Sequence, residues 1–437
     1  MDNFTQLESH SNELARAVRS LASYCRGADV QQSVADQLLI DSEAHKEVHR
    51  AKRSICANVA RIKTLMCGPT DFLEHLASQV AILACLGWLG EFQILACIPL
   101  TGSVPIQDVA DLSSVPEPQL CRIIRLTATV GFLDEPQMGH VAHTPLSASF
   151  VENPSFLDAG MFLAEFATPA ALQMAPSTQR FGDSCRPNES AYNLAFNTTK
   201  PFHTARKERP KLSRQWSAYL HYAGGLHAAD NVADILTQLN WSNISNACIV
   251  EMGGHSTSTA ENLARLYPTL HFVVQMSESP TPTPDVSGGE MDSSRITVTN
   301  RAPGTRQTAT NAAVYILHLA SSPASVILAE LRIHLGILRA SSGIMLIFTS
   351  RLLPEPGCVS LPGADTSARA RDLALLQLAN EGEMEMVELL DMIDSVCDSS
   401  GKLVVINKLR SPSSLVAALV VKYQVCVADR GVEPRPV

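Results

Sequence analysis

The chain has 437 residues, too many for one ordinary hydrophobic core, and so implies two folded units with connecting segments. Hydrophobic residues make up 46% and charged residues 18%, a globular composition that excludes a chain disordered throughout. A formal charge of −9 and a pI near 5.8 supply no overall field for nucleic acid, so any contact with DNA is expected to be weak or indirect, through a local patch or a partner.

The eleven cysteines are odd in number and scattered, with no CxxC pair and no CxH cluster, and are expected to be reduced, buried thiols. Tetrahedral thiolate sites need ligands delivered in close pairs, which excludes a zinc ribbon and a six-cysteine zinc cluster; no metal is expected. The first residues, MDNFTQLESHSNELARAV, carry acids where a secretory signal needs a basic end and an apolar run, which points to the nucleus or cytoplasm.

Leu7, Leu14, Val18 and Leu21, then Val48, Ile55, Val59 and Ile62, recur at helical spacing and predict two amphipathic helices, with a polar linker from Gly27 to Asp36. Cys67-Gly68-Pro69-Thr70-Asp71 supplies a stop and a cap for a helix beginning near Phe72. The apolar stretch Ala81 to Leu100 is interrupted at Glu91, short of the roughly 18 residues a membrane span needs, and predicts a buried helix and no membrane contact.

From there the order is that of a winged helix. Pro105 opens a short helix over Ile106 to Leu112, and Ser113, Ser114 and Val115 turn the chain. Pro116 starts a second helix reaching Val130, with Leu120, Ile123, Ile124 and Thr127 on one side. Gly131 to His143 alternates around Glu135-Pro136-Gln137-Met138, as a wing hairpin would. The polar face of this helix-turn-helix carries Gln107, Glu117, Gln119, Arg122 and Arg125. Two of these are basic, and Asp108, Asp111 and Glu117 would repel a phosphate backbone, so protein contact ranks above DNA contact for this surface. A helical connector (Phe156 to Ala171), a polar stretch (Ser177 to Thr199) and a basic segment, KPFHTARKERPKLSR (200 to 214), follow; the basic run is expected to be a solvated helix face.

ACIVEMGGHSTSTAENLARLYPTLHFVVQM, from Ala247, is a strand, a glycine turn, an amphipathic helix and a second strand. In nucleotide-binding βαβ units the turn needs glycines so that the backbone can approach the ligand, and the second strand ends in an acid that bonds a ribose. Glu251, Gly253 and Gly254 fit such a loop. His255 and Thr257 add bulk, and the second strand ends in Gln275, which cannot offer a ribose diol two acceptor oxygens. The site is expected to be a degenerate cofactor loop, with no cofactor bound. A flexible loop is expected from Ser277 to Ser294.

With these elements in place, residues 72 to 425 resemble the S-adenosylmethionine-dependent O-methyltransferases that carry an N-terminal winged-helix dimerisation domain. The resemblance runs on through AAVYILHLASSPASVILAELRIHL (312 to 335) and IMLIFTSRLLPEPG (344 to 357). It implies an α/β chain: helices over 1–71, a winged helix over 72–151, a helical connector over 152–240 and a Rossmann-like class I methyltransferase-type domain over 241–430. It places His318 where the family has its general base, followed by Leu319 and Ala320 in place of the usual Asp-Trp. Glu381, Glu383 and Glu385 lie in the block that supplies its acidic partner, and spacing does not choose among them.

A narrower resemblance covers almost the whole chain. LACLGWLGEFQILACIPL (83 to 100), SVPIQDVADLSSVPE (103 to 117), VGFLDEPQMGHVAHT (130 to 144), NAAVYIL (311 to 317) and LLQLANEGEMEM (375 to 386) resemble the aflatoxin-pathway co-regulators, with relatives in monodictyphenone and geodin clusters. That family implies a nuclear transcriptional co-activator of an aromatic-polyketide gene cluster, built on a methyltransferase-like fold without catalysis and partnering a zinc-cluster transcription factor. His318, Glu381, Glu383 and Glu385 would then be relics. The alternative is a working O-methyltransferase that binds S-adenosylmethionine, acts on a phenolic polyketide and uses His318 as base. The dimerising methyltransferases leave a homodimer open.

Overall fold

The computed structural model describes residues 3–27, 42–223, 232, 235–236, 239, 241–244, 246–254, 257–276, 295–319, 324–341, 343–349, 352–353, 364–410 and 416–425. Residues 28–36 of the expected linker, His255, Ala320 and the expected loop from Ser277 to Ser294 lie outside them. Two compact units are present. The first comprises Met1–Tyr222, Leu361–Ser367 and Leu373–Glu381; the second comprises Ala223–Ser360, Ala368–Asp372 and Gly382–Val437. The helices expected as a connector fall largely within the first unit.

The first unit begins with α1 (Asn3–Gly27) and α2 (Ser42–Met66), which pack on each other. Helix α3 (Pro69–Glu91) starts where the sequence can stop and restart a helix. Pro69 needs no amide donor at the first helical position, and the Asp71 carboxylate accepts from the Gly68 N–H at 2.8 Å. This helix corrects the expectation of a buried helix over Ala81 to Leu100. It ends at Glu91, a 3-10 turn follows over Ile94–Cys97, and Leu89 is its buried residue. The helix meets its neighbours most closely at a glycine notch: a Cβ on Gly90 would lie against Met161 Sδ, and one on Gly160 would lie 2.7 Å from Leu86. Phe72, Leu73, Leu76 and Val80, on the first turns, are exposed. Among the described residues α3 alone is long and apolar enough to cross a membrane, by length and composition.

Strand β1 (Ser103–Pro105), α4 (Ile106–Ser113), α5 (Glu117–Thr129), β2 (Leu133–Asp134) and β3 (His140–His143) follow, and the strands form an antiparallel sheet in the order β1-β3-β2. Apolar positions three and four apart on the helices, and alternate positions on the strands, meet in one core of Leu89, Ile94, Ile106, Leu120, Ile124, Leu133 and Val141. The Arg125 guanidinium grips Glu135 through two bonds of 3.0 and 3.2 Å, and Glu135 also accepts from the Gly139 N–H at 3.0 Å, which fixes the hairpin on α5. Arg125 holds the Glu135 carboxyl below the usual carboxylate range.

Helices α6 (Pro145–Glu152), α7 (Pro154–Phe162), α8 (Thr168–Leu172), α9 (Met174–Phe181), α10 (Ala191–Ala195), α11 (Phe202–Glu208) and α12 (Pro210–Ala223) follow, with a π-helical turn over Leu163–Ala167 between α7 and α8. A chain poor in aromatics concentrates them here. Phe162 is fully buried, with ring centroids 5.2 Å from Trp216 and 4.9 Å from Tyr219, while Tyr192 and Phe202 are 5.4 Å apart. Leu378 and Ala379, at the end of α15 (Ala364–Ala379), complete this core.

The second unit is a seven-stranded sheet built from β4 (Cys248–Met252), β5 (His271–Met276), β6 (Ile296–Asn300), β7 (Val314–Leu319), β8 (Ile344–Thr349), β9 (Gly401–Arg410) and β10 (Ala417–Val425). Its order is β6-β5-β4-β7-β8-β10-β9, parallel from β6 to β8, with β10 antiparallel to both neighbours. Helices α13 (Ser258–Leu266), α14 (Ala324–Ala340) and α16 (Met386–Asp394) belong to this unit, and buried clusters cover both sheet faces. The strand order reverses at β4 and β7, so their C-terminal tips form the crevice where sheets of this kind bind ligands.

The expectation of buried thiols fails. Among the described residues Cys56, Cys185 and Cys397 are exposed, while Cys67, Cys85, Cys97, Cys121 and Cys248 are half-buried; all are free. Cys97 and Cys121 pack against the rim of the core around α4, α5 and the three-stranded sheet, whose centre is filled by larger aliphatic side chains. Phe162→Ala removes the centre of the aromatic cluster and is expected to cost about 3–5 kcal/mol, read as a lower midpoint in denaturant unfolding of the first unit.

Candidate functional site

At the tip of β4 the chain turns through Gly253, with φ +74°, and a Cβ there would lie 2.5 Å from the His318 carbonyl oxygen on β7. Glycine is thus demanded twice at this residue, by backbone conformation and by a neighbouring strand, with no ligand involved. The same approach brings two side chains together. His318 Nε2 lies 2.8 Å from Glu251 Oε1; the Glu251 side chain is 1% exposed and that of His318 18%. The other Glu251 oxygen is buried without a hydrogen-bond partner among the described residues, and the imidazole stacks on Phe348 at 5.7 Å. The carboxylate that orients His318 therefore comes from the glycine-turn strand.

The residues of the 381 to 385 block are engaged elsewhere. Glu381 meets His203 Nε2 at 3.0 Å in the first unit. Glu383 forms a buried double bond to the Arg371 guanidinium, at 2.5 and 2.7 Å. Glu385 caps α16, its N–H donating to Glu388 at 2.9 Å. Each has a structural task.

The second strand, expected to end in Gln275, runs one residue further to Met276, which pairs with Asn300; Gln275 is 3% exposed and stands beside Met252 in the β4–β5 register. Its carboxamide is paired reciprocally with that of Gln307: Gln275 Nε2 donates to Gln307 Oε1 at 2.7 Å, and Gln307 Nε2 donates to Gln275 Oε1 at 2.8 Å. The Gln307 amide also reaches Met252 Sδ at 3.2 Å. Gln307 escaped sequence reasoning because a lone Gln in a loop carries no periodic or motif signal. Gly254 follows Gly253 and is half-buried. Thr257 is occupied by Glu261, at 2.5 Å, and Leu319 is buried in the core. Among the described residues no group of three or more His, Cys, Asp or Glu could hold a metal ion.

On the helix-turn-helix, Gln107, Glu117, Gln119, Arg122 and Arg125 are all exposed. Arg125 is nevertheless committed to Glu135. The basic segment is partly neutralised in the same way: Lys200 pairs with Glu208, Lys211 with Glu165 and Arg214 with Asp158.

Comparison with known proteins adds what geometry cannot. Residues 4–67 match the family model of the trypacidin cluster transcriptional coactivator N-terminal domain. The transcriptional coactivator nsrH of Aspergillus novofumigatus is 55% identical, over 97% of this chain and 99% of that protein. The chain belongs to this coactivator family. The monodictyphenone cluster transcriptional coactivator of Emericella nidulans is 44% identical over 97% of this chain and 99% of its own length. Among solved structures, mitomycin 7-O-methyltransferase is 17% identical with a TM-score of 0.57, covering 81% of this chain and 98% of the enzyme. OxaC is 17% identical with a TM-score of 0.61, covering 95% and 100%. At that identity the likeness establishes the fold, that of class I O-methyltransferases. The family thus consists of transcriptional coactivators of secondary-metabolite clusters carried on a methyltransferase-like fold.

Gly253→Ala is expected to destabilise the second unit by about 1–3 kcal/mol, from backbone strain at positive φ and contact with the His318 carbonyl. A melting curve without ligand checks this; an unchanged midpoint would mean that the turn is looser than described.

Proposed function

We propose that this chain is a nuclear coactivator of an aromatic-polyketide gene cluster, acting with a six-cysteine zinc-cluster transcription factor, and that its methyltransferase-like unit is a scaffold rather than an enzyme. Similarity along almost the full length to named coactivators supports the regulatory role. The observation that carries the scaffold reading is the reciprocal pairing of the Gln275 and Gln307 carboxamides, which spends one N–H and one oxygen lone pair of Gln275 on the chain's own cohesion. DNA contact by the winged helix is indirect or weak, since the wing already holds one of the two arginines on the contact face. Residence is nuclear, with a cytoplasmic pool.

The alternative, an O-methyltransferase using His318 as base, is kept by one observation: the His318 side chain reaches the rim of the crevice. Calorimetric titration of S-adenosylmethionine into the purified protein is expected to give no heat of binding. His318→Ala is expected to leave activation of a cluster-promoter reporter within about twofold of wild type. Micromolar binding together with loss of activation in the variant would reverse the reading.

We further propose a homodimer through the first turns of α3. Phe72, Leu73, Leu76 and Val80 expose a contiguous apolar stripe on a helix that carries little burial of its own there, and such stripes need cover. Leu76→Glu is expected to shift the protein from dimer to monomer in sedimentation velocity; a wild type already monomeric at the same concentration would end the proposal.

A further inference from the structure

Helix α2 is strongly basic in a chain whose formal charge is −9. No acidic residue lies between Glu47 and Asp71, and Arg50, Lys52, Arg53, Arg61 and Lys63 all fall in that stretch. Helical spacing separates two faces. Ala51 and Asn58 are buried, α2 packs on α1, and His10 Nδ1 of α1 lies 3.1 Å from Asn58 Oδ1. Lys52, Cys56, Val59, Lys63 and Met66, alternately four and three residues apart, line another face, and all five are exposed. Val59 is 49% exposed and Met66 66%.

Several of the chain's other cations are answered by carboxylates: Lys200 by Glu208, Lys211 by Glu165, Arg214 by Asp158 and, in the second unit, the buried Arg301 by Glu330 at 3.1 Å. On α2, Arg50 pairs with Glu47. Lys52, Arg61 and Lys63 have no carboxylate partner among the described residues, and the Lys63 ammonium lies instead 3.1 Å from His75 Nε2 on α3. A cation in the last turn of a helix is favoured by the helix dipole, which accounts for Lys63. Lys52, about four turns before the helix end, gains nothing from it.

We propose that this face of α2 docks an acidic amphipathic segment of a protein partner, whose carboxylates meet Lys52 and Lys63 while an apolar side chain settles on Val59 and Met66. The mixture of groups selects the partner. A phosphate backbone would engage the cations and leave Val59 and Met66 against water, and the chain's net charge opposes it. A lipid surface needs a broad apolar face to insert, and the buried side of α2 is already packed on α1. The face lies within residues 4–67, the segment that matches the coactivator N-terminal domain. Charge and exposure alone carry the docking chemistry; the proposal rests on the coactivator reading for the partner's identity, a transcription factor.

The test is fluorescence anisotropy of the full-length protein with a labelled peptide of about four helical turns in which Glu and Asp alternate with Leu and Phe at helical spacing. The same peptide with Lys in place of every acid, a short DNA duplex and phosphatidylserine vesicles serve as competitors for the assignment. The acidic peptide is expected to bind the wild type and to weaken as salt rises, and the basic peptide is expected not to bind. Lys52→Glu with Lys63→Glu is expected to weaken binding roughly tenfold, Lys52→Arg with Lys63→Arg to leave it within about twofold, and Val59→Ser with Met66→Ser to weaken it roughly threefold. All four positions are exposed, and an unchanged unfolding midpoint checks that the variants fold. No binding of the acidic peptide, equal binding of both peptides, or unchanged affinity after charge reversal would each overturn the proposal. Tighter binding of the duplex or of the vesicles would overturn it too, and would assign the face to nucleic acid or to a membrane. A wild type that binds the acidic peptide but fails to drive a cluster-promoter reporter sinks the coactivator reading and leaves the docking face standing. One that drives the reporter and binds no peptide sinks the docking face alone.

Discussion

The second unit is organised by one close approach, that of the Gly253 backbone to the His318 carbonyl at the reversal of strand order. Where two parallel strand tips come this near, no side chain fits at the turn, and the residues flanking it must face each other. Glu251 and His318 do so, and a buried carboxylate that would otherwise stand unpaired in a low-dielectric crevice finds a partner. The glycine turn thus persists for reasons of packing. A reader of sequence motifs sees a cofactor loop; the geometry accounts for the glycine with no cofactor at all.

The same economy runs through the rest of the molecule. Residues that the sequence marks as candidate site groups are spent on the chain's own cohesion: Glu383 on Arg371, Glu385 on the start of a helix, Gln275 on Gln307. Arg125, which a DNA reader would aim outward, clamps the wing. These assignments agree with membership of a coactivator family whose solved fold neighbours include methyltransferases.

Much of the fold was legible in the sequence. The α4–α5 pair and the β4–α13–β5 unit are marked by strong periodicity and by proline, serine or glycine at their ends, so their limits fall within a few residues of those expected. Burial was less legible. Helix α3 is apolar on more than one side, and composition could not distinguish a helix buried in its own chain from one buried along a single glycine notch. The scattered cysteines misled for a related reason: small thiols tolerate the rim of a core as well as its centre. At the site, Glu251, Gly253, Gln275 and His318 were visible one by one, but their pairing was not. Hydrogen bonds between residues 67 and 32 positions apart leave no local trace.

The Arg301–Glu330 pair carries a consequence for descent. Both side chains are nearly buried, and removing either partner of such a pair costs about 3–5 kcal/mol, because the survivor is left as an uncompensated charge. Gln275 and Gln307 are interlocked in the same sense, each leaving the other unsatisfied if it changes alone. A lineage that has acquired these four residues cannot replace them one substitution at a time without passing through less stable intermediates. These contacts then act as a ratchet, held by folding stability whatever selection acts on the regulatory role.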